Sequence, residues 1–433
     1  MVSISLILLL GLLSGILIGL LPGLPAYIGP LILFPFVSHL GVDQILAFWL
    51  ATHIGSQYFG SVAAILLKIP GEASSLVYIK DLDKLNVGQR LDLIRQTAWG
   101  STIGTLTALT VMLVVYYLGF ANGLLHLTSN NVKISLLLIL MFVMCWTTDH
   151  KRLSFLLFFV GFFFAEKSNH ELPNWIFTMQ KYTTDMTLFG LILSFLIIPE
   201  FIRELGRSRA ADTLKVQTTS RSKLDLRAIF KGTWIGSVVG LIPGPSHILG
   251  GIVSYNSYKK EDTVKKIISA ESANNSATIT SLLPFLYIGL PITLSEFLLN
   301  DLLQVKMFMI PGDFKQAWHG IDLVEFCFAV ILVCTVVYHF LAQHFLGFYE
   351  RLMSLAYGRL KFIFVGLIAY LIYIDLKFNP VYIIPYFSLI IVLTWIGWKM
   401  LNRGINALPL IFGYLLGDML AWALYHFYQL NLS

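Results

Sequence analysis

Two stretches of this sequence place polar side chains in apolar surroundings: ATHIGSQYFGS at 51–61 and ESANNSATITS at 271–281. Ser56 and Gln57 in the first, and Asn274, Asn275, Ser276, Thr278 and Thr280 in the second, are neutral donors and acceptors. Such groups bind carboxylate oxygens, and with backbone carbonyls they replace the water shell of a small cation. A single Ser or Asn in an apolar helix is equally well explained by a bond to a neighbouring helix. The adjacent Asn274 and Asn275 inside a long polar stretch favour binding.

Ionisable residues near apolar runs are the sharper candidates, because each must be paired or costs several kcal/mol in hydrocarbon. Lys68 ends the run SVAAILLK and Glu72 follows one helical turn later, so the two neutralise each other or supply a counter-charge to an anionic solute. Glu271 heads the second polar stretch as a helix-terminal carboxylate or as part of a proton or sodium path; Glu296 and Asp301 read as helix-terminal or interfacial. His53 and His247 lie beside polar or broken stretches without a second ligand at metal spacing, so no metal site is expected. Cys145, Cys327 and Cys334 all sit in apolar runs and read as packing residues. HExxH, GxSxG, paired Asp-rich and Walker motifs are missing, which argues for binding and movement rather than bond making. An intramembrane enzyme using His53, His247 or Glu271 is the alternative class.

The polar stretches need elements to hold them, and the sequence breaks its helices nearby. GLLSGILIGLLPGLP at 11–25 spaces Gly11, Gly15, Gly19 and Gly23 four apart and ends in Pro22 and Pro25. GTWIGSVVGLIPGPS at 232–246 repeats this with Gly232, Gly236, Gly240 and Gly244, each 221 residues on. Pro70 and Pro291 keep the same offset, so the chain contains an internal duplication. Glycine at every fourth position lets another helix approach closely. A Pro-Gly break inside hydrocarbon is tolerated only where protein or a water-filled cavity surrounds it. The chain unwinds at Gly23 and Gly244, and new helices starting at Leu24 to Tyr27 and at Pro245 to Ile248 would expose N–H groups suited to an anion.

Composition sets the class: 57% hydrophobic, 14% aromatic and 12% charged residues read as a polytopic, all-α membrane protein. Apolar runs at 96–119, 132–147 with 153–165, 185–199, 322–346, 380–399 and 407–428 suit a core roughly 30 Å thick. The total comes to about ten to fourteen membrane segments, some of them half-helices. MVSISLILLLGLLSG lacks a basic n-region and a cleavage site, so it reads as a first membrane segment rather than a removed signal. The net charge of +6 comes from short loops and carries no nucleic-acid signal. The polar stretch 200–231 is the most basic of these, and its core, 206–225, reads as a cytoplasmic linker between a first repeat, 1–205, and a second, 226–433. An odd number of crossings in the first half makes the repeats inverted. The basic segment KKEDTVKK at 259–266 strains this topology: either the chain before it is a re-entrant hairpin, or the charge rule fails there.

With these residues in view, the sequence resembles the large membrane subunit of the tripartite tricarboxylate transporters. The resemblance rests on GLLPGLP at 19–25, IGSQYFGSVAAILLKIPGE at 54–72, KDLDKLNVG at 80–88, GLIPGPS at 240–246, ESANNSATITSLLPFLYIGLP at 271–291 and IPGD at 310–313. It implies an inner-membrane, multi-pass permease that imports small di- or tricarboxylates by alternating access. Na+ or H+ would be the coupling ion, with no other cofactor, and a periplasmic solute-binding protein and a small membrane subunit would be partners. It also points to Gly23, Leu24, Pro25, Ser56, Gln57, Gly244, Pro245, Ser246, Asn274, Asn275 and Ser276 as the lining of the site, with Lys68, Glu72 and Glu271 as charge partners. A homodimer is left open. The sequence departs from the family pattern at Phe59 and Ile292, which put bulk where the family leaves room. A scaffold or receptor of the same fold, without transport, is the second alternative.

Overall fold

A computed structural model describes residues 3–20, 39–68, 73–118, 130–146, 150–165, 188–205, 222–242, 246–259, 261–288, 291–303, 323–344 and 383–417, with isolated residues between them. All regular structure among the described residues is helical. The chain divides into two compact units, one from Met1–His126 with Arg209–Leu360 and one from Leu127–Ser208 with Lys361–Ser433. Each unit draws on both halves of the sequence.

The first unit contains α1 (Ile4–Leu20), α2 (Val42–Leu67), α3 (Val87–Tyr117), α7 (Leu226–Val239), α8 (Ser246–Asn256), α9 (Thr263–Ile288), α10 (Leu294–Leu302) and α11 (Leu323–His344). The second contains α4 (Asn130–Trp146), α5 (Lys151–Phe164), α6 (Leu188–Ile192, continuing through a π turn at Leu193–Ile197 into Ile198–Leu205), α12 (Ile383–Asn402) and α13 (Leu408–Gly417). There α5 and α13 pack closely through Gly161 against Leu410 and Gly413 against Phe158. Lys151 lies 4.4 Å over the Trp146 ring and Lys399 lies 3.7 Å over the Trp395 ring.

The offset seen in the sequence reappears in the helix boundaries. α2 and α9 are 26 residues each, and both their starts and their ends are 221 residues apart. Glycine contacts follow the same offset. Gly11 faces Phe48 while Gly232 faces Ser269, and Gly19 faces Ser56 and Phe59 while Gly240 faces Ala277 and Thr280. α1 therefore runs parallel to α2, as α7 does to α9. On the opposite side of α1, Leu9, Leu13 and Leu17 are exposed, and at matched positions on α7 so are Phe230, Trp234 and Val238. Each glycine-bearing helix turns its smooth face inward and an apolar stripe outward, as a membrane helix packed against one neighbour must.

α7 and α8 form a hairpin. Gly250 sits over Ala273 and Ala277, and Ser254 bonds Ser269, so α8 runs antiparallel to α9 and hence to α7. Lys231, in the second turn of α7, donates to the Ser257 carbonyl at 2.8 Å and covers the Tyr258 ring at 4.0 Å. The chain thus returns to the end at which α7 began, which resolves the placement of 259–266 in favour of the hairpin. The 14 residues of α7 span about 21 Å, short of the bilayer core.

α3 is anchored by a capping box: Asn86 Oδ1 accepts the Gln89 amide at 2.8 Å and Gln89 Oε1 accepts the Asn86 amide at 3.0 Å. It runs parallel to α9, Gly100 and Gly104 lying against Ser272. Arg90, buried at its start, donates from Nη1 to the Leu66 carbonyl at 3.1 Å, placing a positive charge at the C-terminus of α2. Asp92, Arg95 and Gln96 bind Ser222 at the described end of the linker. α11 closes this core through Tyr338, whose hydroxyl donates to the Leu12 and Ala51 carbonyls in the notch between Gly15 and Gly55.

Among the described residues, α3 and α11 are long and apolar enough to cross a membrane by length and composition, and Ile4–Leu20, Phe387–Asn402 and Leu408–Gly417 are shorter apolar helices. α2 and α9 are longer than α11 but carry the polar stretches, which lower their hydropathy.

Candidate functional site

α2 and α9 cross antiparallel, and the polar stretches meet at the crossing. Gln57 Nε2 donates to Thr278 Oγ1 at 2.5 Å, and these two residues are 221 apart. One turn further along α2, Ser61 Oγ bonds Glu271 Oε2 and also lies 3.2 Å from the Gln57 carbonyl. Tyr78, from the segment of 3₁₀ turns Ala73–Val77 and Ile79–Lys84, donates to Glu271 Oε1 at 2.6 Å. Glu271 is 2% exposed, so both oxygens of a buried carboxyl contact hydroxyls. No ion pair involves it among the described residues.

Helical geometry separates the consecutive residues of the second stretch. Asn275 faces α3, donating to Ser101 Oγ at 3.0 Å, and also donates to the Glu271 carbonyl at 3.0 Å. Ser276 faces α7, bonded to Ser237 Oγ at 2.6 Å and the Thr233 carbonyl at 3.1 Å. Asn274 is buried, and its carbonyl accepts the Thr278 hydroxyl at 3.0 Å. On α2, Ser56 donates to the His53 carbonyl at 2.8 Å, and His53 stacks on Trp49 at 4.8 Å. Ser246 is fully buried at the first turn of α8, its Oγ without a hydrogen-bond partner among the described residues. Its position suits a ligand group at a helix N-terminus. Gly23, Leu24, Pro25, Gly244, Pro245 and Glu72 lie outside the described residues.

The structure therefore brings Gln57, Glu271 and Asn275 into one buried polar region, with Ser276 on the other face of α9. The sequence reasoning did not select Ser61, Tyr78 or Ser101 for this region. Ser61 was findable as the next turn from Gln57 on the same helix face. Tyr78 and Ser101 come from other elements, and no local pattern marks them. Lys68 pairs with Asp83 at 2.8 Å. Lys68 adopts a left-handed backbone (φ 57°) that ends α2. Glu296 accepts the Ile292 and Thr293 amides at 2.7 and 3.1 Å, capping α10. Phe59 is fully buried, 5.7 Å from the Tyr338 ring, so its bulk is taken up by α11.

At the end where α9 begins, Asp81 binds Lys84 at 2.6 Å, Lys266 at 3.7 Å and the Tyr255 hydroxyl. Burial pushes the Asp81 carboxyl up, but the bonds from Lys84 and Tyr255 and the charges of Lys84 and Lys266 outweigh it and hold the group below the usual carboxylate range. Lys266 also covers the Tyr255 ring at 3.9 Å. This cluster clasps the 3₁₀ segment to α8 and α9, five residues before Glu271.

Comparison with known proteins agrees with this reading. The model of the family described as "Tripartite tricarboxylate transporter TctA family" matches residues 6–412. An "Uncharacterized 52.8 kDa protein in TAR-I ttuC' 3'region" of Agrobacterium vitis is 23% identical over 441 residues, covering 95% of this chain and 84% of the relative. A second, an "Uncharacterized protein in TAR-II ttuC' 3'region" of the same organism, is 24% identical over 206 residues, covering 43% of this chain and 77% of the relative. No solved structure matches. With almost its whole length matched, the chain belongs to the tripartite tricarboxylate transporter TctA family and is a membrane protein.

Proposed function

We propose that this chain is the permease subunit of a tripartite system that imports small di- or tricarboxylates by alternating access, coupled to a Na+ or H+ gradient. The observation that carries this reading is the Gln57–Thr278 bond: two residues at matched positions, on antiparallel helices of matched length, touch each other. Residues related by a two-fold axis meet only near that axis. Together with the repeated glycine contacts, this supports two inverted repeats, 1–205 and 226–433, joined by the linker 206–225. Inverted repeats hold substrate and coupling ion near the midplane, where broken helices meet. The α7–α8 hairpin is then re-entrant, its turn at Leu241 and Ile242 reaching into the bilayer and Ser246 at the restart facing the solute. Uncharged polar groups and helix N-termini bind a carboxylate that must later be released.

The basic ends of α3, α7 and α9, with the linker, gather on one side, which by the positive-inside tendency is the cytoplasmic face of a bacterial inner membrane. The solute arrives from a periplasmic binding protein, and a small membrane subunit completes the complex. The full chain, reconstituted in proteoliposomes with those partners, is expected to accumulate labelled di- or tricarboxylates when a Na+ or H+ gradient is imposed. Failure to move any such anion under either gradient, by protein that elutes as a single species, would overturn the reading.

A further inference from the structure

We propose that Glu271 is the proton-binding group of the transport cycle, and that the Ser61 hydroxyl switches partner with its protonation. The proposal rests on the transport reading above and names its coupling ion.

The argument is a count of hydrogens. Ser61 Oγ lies within bonding distance of two oxygens, the Gln57 carbonyl and Glu271 Oε2, but a hydroxyl has one hydrogen. The carbonyl can only accept. When the Ser61 hydrogen goes to Gln57, the hydrogen in the Ser61–Glu271 contact must belong to the carboxyl. When Glu271 is ionised, Ser61 and Tyr78 both donate to it and the Gln57 carbonyl loses the serine. The site thus has two hydrogen-bond patterns that differ by one proton. Binding forms an O–H bond on Glu271 Oε2 and turns the Ser61 hydrogen toward Gln57; release reverses both moves. The carbonyl that gains or loses the serine is the backbone carbonyl of Gln57, and Ser61 and Glu271 lie on α2 and α9, so the change in pattern falls where the two helices cross.

The surroundings suit a proton better than a metal cation. Hydroxyls that donate to a carboxylate point hydrogens, not lone pairs, at the site. The titratable groups on the packed elements are otherwise engaged. Tyr58 on α2 is bonded to Thr102, Lys266 on α9 and Tyr255 on α8 are bonded to Asp81, and α3 meets α9 through Gly100, Ser101 and Gly104. Tyr78 bonds the carboxyl itself.

Two measurements on the full chain test this. In proteoliposomes without sodium, wild type is expected to exchange labelled carboxylate across the membrane, to accumulate it on a pH gradient and to take up protons with it. Glu271→Gln is expected to lose accumulation and proton uptake by more than about ten-fold. Accumulation by Glu271→Gln at the wild-type level, or wild-type accumulation that follows sodium without proton movement, would overturn the proposal. Infrared difference spectra between about pH 5 and about pH 9 read the carboxyl independently of transport. A protonated C=O band present in wild type and missing in Glu271→Gln is expected, and its presence in both would refute the assignment even if no solute moves. If Glu271→Gln does not fold, Tyr78→Phe serves instead. It leaves the carboxyl in place and is expected to displace that band, and an unmoved band would count against the site.

Discussion

Leu50 on α2 occupies the position that Glu271 holds on α9, and Gln57 that of Thr278, although the glycines of α1 and α7 touch matched residues in both copies. The glycine contacts are matched and the chemistry is not. Close approach of a glycine helix to a long helix is a backbone property, and it is kept wherever glycine is kept. A second buried carboxyl at Leu50 would add an unpaired charge in the same core, so one acid with two hydroxyl partners is the less costly arrangement. The copies also differ in how tightly the frame closes. A Cβ at Gly11 would first meet the Ala51 side chain at 2.9 Å, whereas at the matched Gly232 it would run into the Ser269 carbonyl.

That difference gives the largest expected effect. Gly232→Ala should push α7 off α9 at a cost of more than about 3 kcal/mol, Gly11→Ala should cost about 1–2 kcal/mol, and Gly251→Ala, whose Cβ would meet only ordinary contacts at 3.5 and 3.6 Å, should stay within about 0.5 kcal/mol. Thermal unfolding in detergent orders the three, and equal losses at Gly11 and Gly232 would erase the asymmetry. Next in size is Tyr338→Phe. It removes the donor that α11 offers to both Leu12 and Ala51 in the first copy, and should lower stability by about 1–2 kcal/mol without altering exchange. Smaller again is the bond at the crossing. A double-mutant cycle of Gln57→Ala and Thr278→Ala should give a coupling of about 1 kcal/mol, and strict additivity would show that this bond does not contribute to the crossing.

Much of the frame was legible because its signal is periodic. The glycine spacing gave the α1–α2 and α7–α9 contacts, and the offset gave the matched ends of α2 and α9. The polar stretches marked Gln57, Asn275 and Glu271, since such residues stand out in an apolar sequence. What the sequence could not reveal was direction around a helix axis. Asn274, Asn275 and Ser276 read as one cluster, yet a rotation of about 100° per residue sends Asn275 to α3 and Ser276 to α7. Tyr78 and Ser101 are placed by tertiary packing alone. Asp83 as a partner of Lys68 was not legible either, because it depends on the left-handed turn at Lys68 that ends α2.

The smallest effect belongs to the clasp at Asp81, which has no counterpart in the second copy, where the matched position is Leu302. Asp81 reaches from the first copy to Tyr255 and Lys266 of the second, so it tests whether the copies are joined at their basic end as well as at the crossing. Its carboxyl titrates below the ordinary value near 4, and a group lowered by folding stabilises the folded form above its unfolded pKa. That contribution is complete at neutral pH and fades only as pH falls through the lower, folded value. Asp81→Asn should therefore loosen the loop after α8 at pH 7 by about 1 kcal/mol or less, read as up to about five-fold faster proteolysis between Ser257 and Asp262. Below about pH 3 wild type should lose the same contribution and cleave as the variant does, which calls for an acid-active protease. Equal cleavage of the two proteins at neutral pH would mean that the apolar contacts of Tyr78 and Leu82, both fully buried, hold the segment without the charge.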